Sequence, residues 1–190
     1  MFVRRWMSSP AVVLPAATPV VDAIEFMAVK KIRRIPVIQD GALVGIVTGT
    51  DLQAVAARHP GLGRSERILL GYVMAKPVLT VAPDDTLEHA AKIMLENEVS
   101  GLPVLDGGRL LGMITESDVF EAFNEIMGTE EAGARIMLTV PADDDLLDTL
   151  RKRLKGLAIR SLATYRSEEG RDWEVVVRVC GRTPAEIPQF

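Results

Sequence analysis

The 190-residue chain is 48% hydrophobic and carries a formal net charge of −4, from 22 basic and 26 acidic residues. That length holds one domain or two small ones with a packed core, and the mild acidity without a basic stripe excludes a surface that wraps nucleic acid by neutralising phosphates. Only 5% of residues are aromatic, too few for stacking on unpaired bases, and the single cysteine, Cys180, forms no internal disulfide, which fits a reducing cytoplasm.

Arg4 and Arg5 followed by an apolar stretch at 11–17 have the outline of a secretory leader. Pro10 and Pro15 interrupt that stretch, however, and it recurs at 70–84, where a leader has no place. No apolar run nears the ~20 residues of a membrane helix. The start therefore reads as structure, and the protein as soluble and cytoplasmic, with neither membrane nor nucleic acid as partner.

Shifting the chain by 67 positions superimposes its first third on its second without a gap. Met7 meets Met74, Pro10 meets Pro77, Ala23 meets Ala90, and Met27 meets Met94. Further along, Pro36 meets Pro103, Gly41 meets Gly108, Gly45 meets Gly112, Thr48 meets Thr115, and Asp51 meets Asp118. Val20, Ala23, Ile24, Met27 and Ala28 have the spacing of an amphipathic helix, repeated by Leu87, Ala90, Ala91, Met94 and Leu95. Apolar runs at 35–38 and 102–105, turns at 40–41 and 106–108, and second runs ending at Thr48 and Thr115 predict two hairpins. Second helices follow over 51–58 and 117–127. Each unit reads β-α-β-β-α in an α/β (α+β) fold, one over 1–60 and one over 70–127, joined by a linker at 61–69. Gly61, Gly63 and Arg64 in that linker lack the preceding strand and following Lys-Ser/Thr of a phosphate loop. A single such unit buries too little surface to stand alone, so the two pack together.

The sharpest local feature is Gly-Ile-Val-Thr-Gly-Thr-Asp ending at Asp51, repeated as Gly-Met-Ile-Thr-Glu-Ser-Asp ending at Asp118. Thr48 at a helix N-cap and Asp51 three residues on resemble a capping box. The same geometry offers free backbone N–H groups to an anion and a carboxylate to a ribose diol. The motif by itself leaves capping and ligand binding open.

Taken with the preceding Pro-Val strand, the Gly turn, the amphipathic helix and the Met-x-x-Pro segment, the motif resembles a cystathionine β-synthase (CBS) domain. Two in tandem over 1–127 resemble a CBS pair, or Bateman module. That resemblance implies two repeats packed with pseudo-two-fold symmetry, usually a homodimer, and two clefts for an adenosine-containing ligand such as AMP, ADP, ATP or S-adenosylmethionine. It also implies that Asp51 and Asp118 hold ribose, that Thr48 and Thr115 line the clefts with them, and that the first-strand segments around Val12-Val13 and Leu79-Thr80, with Val13 and Thr80 as the candidate contacts, line the base. The segment before the Pro-Val strand completes the opposite repeat's cleft. In the second repeat it is Val99, Ser100, Gly101 and Leu102, small enough for a base to approach the backbone. In the first it runs through Arg33, Arg34 and Ile35, and two arginines in place of Ser-Gly either clamp a phosphate or obstruct the cleft. The clefts are thus unequal, and the one formed by 99–102 with Thr48 and Asp51 is the cleaner. Lys30 and Lys31 read as a solvated helix end.

Nothing in the chain has the arrangement of an enzyme. Neither His59 nor His89 forms, with Cys180 or a paired carboxylate, a recognised metal-ligand spacing, and no G-x-S-x-G, H-E-x-x-H or P-loop pattern occurs. The expectation is a non-catalytic module with no resident cofactor or metal, the nucleotide acting as effector on an unidentified regulated protein. A dimerisation scaffold with empty clefts is the alternative, and an enzyme of unfamiliar type the third reading.

After a linker at 128–133 the repeat register is lost. A strand is predicted over 134–140, a helix over 143–155 with Asp143, Asp144 and Asp145 in its first turn and Gly156 as its stop, and a hairpin over 159–166 and 173–180. This β-α-β-β order is the first part of a ferredoxin-like fold. The region 134–190 resembles a partial ACT domain, and the whole order resembles CBS–ACT chains of the acetoin-utilisation type. Residues 181–190, with Pro184 and Pro188, are too few for the remaining helix and strand. Either residues are missing or a second chain completes the sheet, and the second is preferred because an uncovered hydrophobic sheet favours pairing.

Overall fold

The computed structural model describes residues 1–59, 61–62, 67–129 and 132–180. The linker residues Gly63, Arg64, Glu130 and Glu131 and the tail with Pro184 and Pro188 lie outside the described residues. The chain divides into two compact units, Met1–Val119 and Phe120–Phe190.

In the first unit each repeat supplies the predicted helix and hairpin. The first repeat contributes a short β1 (Leu14–Pro15), α1 (Val20–Lys30), β2 (Arg34–Gln39), β3 (Ala42–Thr48) and α2 (Gly49–Arg58). The second contributes a one-turn α3 (Leu70–Val73), α4 (Leu87–Glu96), β4 (Gly101–Asp106), β5 (Arg109–Thr115) and α5 (Glu116–Met127), the last continuing into the second unit. Asp40 (φ 50) with Gly41 (φ 82), and Gly107 (φ 53) with Gly108 (φ 85), close the two hairpins. Paired positive φ values match the right-handed twist of the flanking strands. The first strands expected of each repeat shrink to the two residues of β1 and, in the second repeat, to an isolated bridge between Val81 and Val104. Prolines at 10, 15, 77 and 83 remove ladder donors there.

The register of 67 survives in three dimensions as an exchange between repeats. Ser8 and Met113 trade backbone hydrogen bonds at 2.9 and 3.0 Å, and their register mates Ala75 and Ile46 do the same at 2.8 and 3.2 Å. Phe2 bridges Thr86, and their mates Leu69 and Pro19 bridge each other. These reciprocal pairs define a pseudo-two-fold relation in which the leading segment of each repeat packs on the other. The core of the first repeat accordingly takes Leu70 from the second, alongside Val20, Ala23, Met27, Ile35, Val37, Val47 and Leu52. Val3, mate of Leu70, is buried just as fully, as are Leu102, Val104 and Ile114. Each such side chain contributes roughly 1.5–3 kcal/mol by leaving water.

The second unit is an antiparallel sheet, β6 (Gly133–Pro141), β8 (Asp172–Cys180) and β7 (Ile159–Arg166), in the order β6-β8-β7. Strand alternation sends Ala134, Ile136, Leu138 and Val140 of β6, with Val175, Val177 and Val179 of β8, into one core. Helix α6 (Leu146–Arg153) covers it with Leu150, and Leu154 follows. Asp145 is the N-cap, its carboxylate accepting from Asp148 N–H at 3.0 Å, so α6 starts three residues later than the acidic run suggested. Gly156 stands at φ 81 just beyond it.

Candidate functional site

Two clefts in the first unit are built from register-equivalent positions. The first, of about 380 Å³, lies among Ile46, Thr48, Asp51, Pro77, Leu79 and residues 98–102. The second, of about 300 Å³, lies among Ser8, Pro10, Val12, Met113, Thr115 and residues 31–34. Because the leading segments cross to the other repeat, the floor of each cleft is one repeat's strand and its wall the other's segment.

The Thr–Asp motifs are capping boxes in both repeats. Thr48 Oγ1 and Thr48 N–H donate to Asp51 Oδ2 at 2.6 and 3.2 Å, and Asp51 N–H donates to Thr48 Oγ1 at 3.3 Å. Thr115 Oγ1 and N–H donate to Asp118 Oδ2 at 2.6 and 2.7 Å, with Asp118 N–H returning to Thr115 Oγ1 at 3.4 Å. Each carboxylate spends one oxygen on its cap. Among the described residues neither Oδ1 accepts a hydrogen bond, which leaves an acceptor at each helix start.

The sequence-predicted residues separate cleanly. Thr48, Asp51, Val99, Ser100, Gly101 and Leu102 come together in the first cleft, and Arg33, Arg34 and Thr115 in the second. Asp118 is tied to Thr115. Val13 and Thr80 do not line the clefts; their preceding neighbours Val12 and Leu79 do. Ile35 points into the first repeat's core and is fully buried. Sequence reasoning missed Lys31 and Glu98, which are register mates, both left-handed at φ 54, and both cleft-lining. The register itself was the signal, since Lys31 meets Glu98 under the same shift.

The clefts differ in charge. Glu98 and Asp51 stand in the first, Lys31 and Arg33 in the second, and Arg34 borders both. The Arg34 side chain donates from Nη2 to Ser100 Oγ. Burial lowers its pKa from the ordinary value, Arg33 adds to that shift, and Glu116 and Asp118 oppose it; an arginine nonetheless stays charged. Neither cleft wall contains a histidine or cysteine among the described residues, and the hydroxyl of Thr48 is committed to Asp51. The arrangement is suited to holding a polar ligand by a diol and an anion.

A CBS-domain family model matches residues 3–57 and 70–125. Among solved structures, the chain is similar to the CBS domain pair of MJ0100 in complex with 5′-methylthioadenosine and S-adenosyl-L-methionine (25% identity, TM-score 0.58, covering 65% of this chain and 99% of that one). It is similar to CBSX2 in complex with AMP (32% identity, TM-score 0.57, covering 66% and 97%). It is also similar to a putative acetoin utilization protein, AcuB, from Vibrio cholerae (30% identity, TM-score 0.61, covering 69% and 98%). The chain spans 40% and 45% of the first two curated relatives it matches. Similar segments also lie within enzymes, a homoserine O-acetyltransferase of Methanohalobium evestigatum and an inosine-5′-monophosphate dehydrogenase of Thermoplasma acidophilum, of which this chain spans 20% and 19%. With the matched repeats covering more than half of its length, the chain belongs to the CBS-domain family as a tandem pair.

Proposed function

We propose that this chain is a non-catalytic regulatory module of the cytoplasm that binds an adenosine-containing ligand in the clefts between its two repeats. Binding changes its conformation or its association with a regulated protein, and the module works as a homodimer. One observation carries the reading: the first cleft holds the pair Thr48–Asp51, whose carboxylate keeps Oδ1 free beside the helix start where a ribose diol can donate, and Thr115, bonded to Asp118 in the same way, lines the second. The AMP and S-adenosylmethionine complexes of similar CBS pairs supply the ligand class. The second unit, with its sheet order β6-β8-β7 and α6 packed on one face, is read as an ACT-like domain. An effector acts through its different affinities for two states, so the ligand must favour one arrangement of the repeats.

The capping boxes themselves favour a second reading, a scaffold in which Asp51 and Asp118 serve their helices and nothing enters the clefts. Thermal unfolding of the full chain with millimolar AMP, ADP, ATP, S-adenosylmethionine or NAD separates the two. A ligand specific for the folded state raises stability as RT ln(1 + [L]/Kd). A rise with an adenosine compound, absent in Asp51→Ala/Asp118→Ala, supports the sensor; no rise with any supports the scaffold.

A further inference from the structure

Arg34 and Gly101 occupy the same position in the two repeats, 67 residues apart. The pseudo-two-fold relation brings such mates face to face where the repeats meet, and the arginine side chain lies across the glycine. A Cβ placed on Gly101 would stand 2.6 Å from Arg34 Nη1 and 3.1 Å from its Cδ and Cζ. The guanidinium is held there by Ser100 Oγ. Arg34 lines the Asp51 cleft through this contact and the Asp118 cleft through its own segment, and on the latter side it feels Glu116 and Asp118. With glycine at both positions, no cation at this place would border both clefts. Here one cation serves two.

Resting on the reading of the clefts as nucleoside sites, we infer that Arg34 is a phosphate-binding residue shared by both clefts, so that an anionic ligand in one weakens the binding of an anionic ligand in the other. A phosphate monoester carries close to two negative charges near neutral pH. The first to bind draws the guanidinium into a charge-assisted contact. The second then arrives at a cleft whose shared cation is neutralised. A nucleoside without phosphate makes no use of Arg34 and fills the clefts independently. Negative coupling is therefore specific to phosphorylated ligands, and it runs through a residue whose mate is glycine.

The test is calorimetric titration of the full chain with AMP and, separately, with adenosine. Val12→Trp, which fills the second cleft without changing any charge near Arg34, gives the affinity of the Asp51 cleft alone, and the equivalent Leu79→Trp that of the other cleft alone. The product of the two association constants is compared with the two-step product in the wild type. For AMP the product from the single-cleft variants is expected to exceed the wild-type product by about tenfold or more, the worth of one charge-assisted hydrogen bond. For adenosine the two products agree. Arg34→Gln, which keeps a long polar side chain, and Arg34→Gly, which copies the mate, both bring the AMP products into agreement. Agreement for AMP in the wild type, a wild-type product larger than the single-cleft one, or a gap that persists or widens in Arg34→Gln overturns the inference. A widened gap would mean that the phosphates repel each other directly and Arg34 screens them. Failure of both ligands to bind the wild type would instead remove the nucleoside reading, and this inference with it.

Discussion

The Met74 side chain occupies the space that a Cβ on Gly45 would need, with Sδ 2.3 Å and Cβ 2.8 Å from that position. At the mate position, a Cβ on Gly112 would meet the backbone oxygen of Ser8 at 2.3 Å. These glycines permit the crossing of leading segments that builds both clefts. Gly45→Ala and Gly112→Ala both destabilise the first unit, overpacking costing roughly 1–3 kcal/mol. Gly112→Ala is the worse, because Met74 Sδ and Cγ can turn aside and leave only its Cβ to shift, whereas the Ser8 carbonyl is fixed by its bond to Met113. Urea midpoints rank the two; equal midpoints would contradict the fixed crossing.

Thr86 caps α4, its hydroxyl accepting from His89 N–H at 3.1 Å, outside either cleft. Thr86→Ala is expected to cost about 1 kcal/mol and to leave AMP affinity within error of wild type. Loss of binding in this variant would mean that cap removal alone explains ligand effects at Asp51 and Asp118.

Glu88, in the first turn of α4, has its pKa lowered foremost by its own backbone N–H, then by Thr86 and the N-terminal ammonium, against an opposing desolvation. A depressed carboxyl stabilises the fold above its unfolded pKa, near 4.3, and loses that contribution as pH falls through the folded value. Wild type should therefore exceed Glu88→Gln in stability at neutral pH and match it near pH 2. A gap of constant size across that range would rule out the ionic origin.

Leu150 is the residue of α6 packed deepest on the β6–β8 face. Leu150→Ala should lower the stability of the second unit by roughly 2–5 kcal/mol, followed by Trp173 fluorescence. The clefts are built wholly from residues of the first unit, so AMP binding should persist in this variant.

The hairpins, the helices and their repeat register were legible because each rests on local periodicity and Gly turns, as at Asp40-Gly41. The exchange of leading segments was not. Ser8 has no local reason to pair with Met113, a contact 105 residues distant. For the same reason the sequence narrows the cleft-facing residue of each leading segment only to the pairs Val12-Val13 and Leu79-Thr80, of which Val12 and Leu79 line the clefts. Ile35 went to the core because β2 is covered on the face that its alternation selects. The Thr–Asp pairs were legible as caps and as ligand contacts alike, and one carboxylate oxygen in each serves the first role while the other remains for the second. Arg34 reaching Ser100 was foreseen only as two arginines near a cleft, since the facing of mates across a two-fold relation has no trace in linear spacing.

The most direct measurement is calorimetric titration of AMP into the full chain and into Asp51→Ala/Asp118→Ala. The account predicts saturable binding to the wild type that disappears in the double variant while the variant stays folded. Binding of unchanged strength in the double variant, or no binding of any adenosine compound to the wild type, would contradict it.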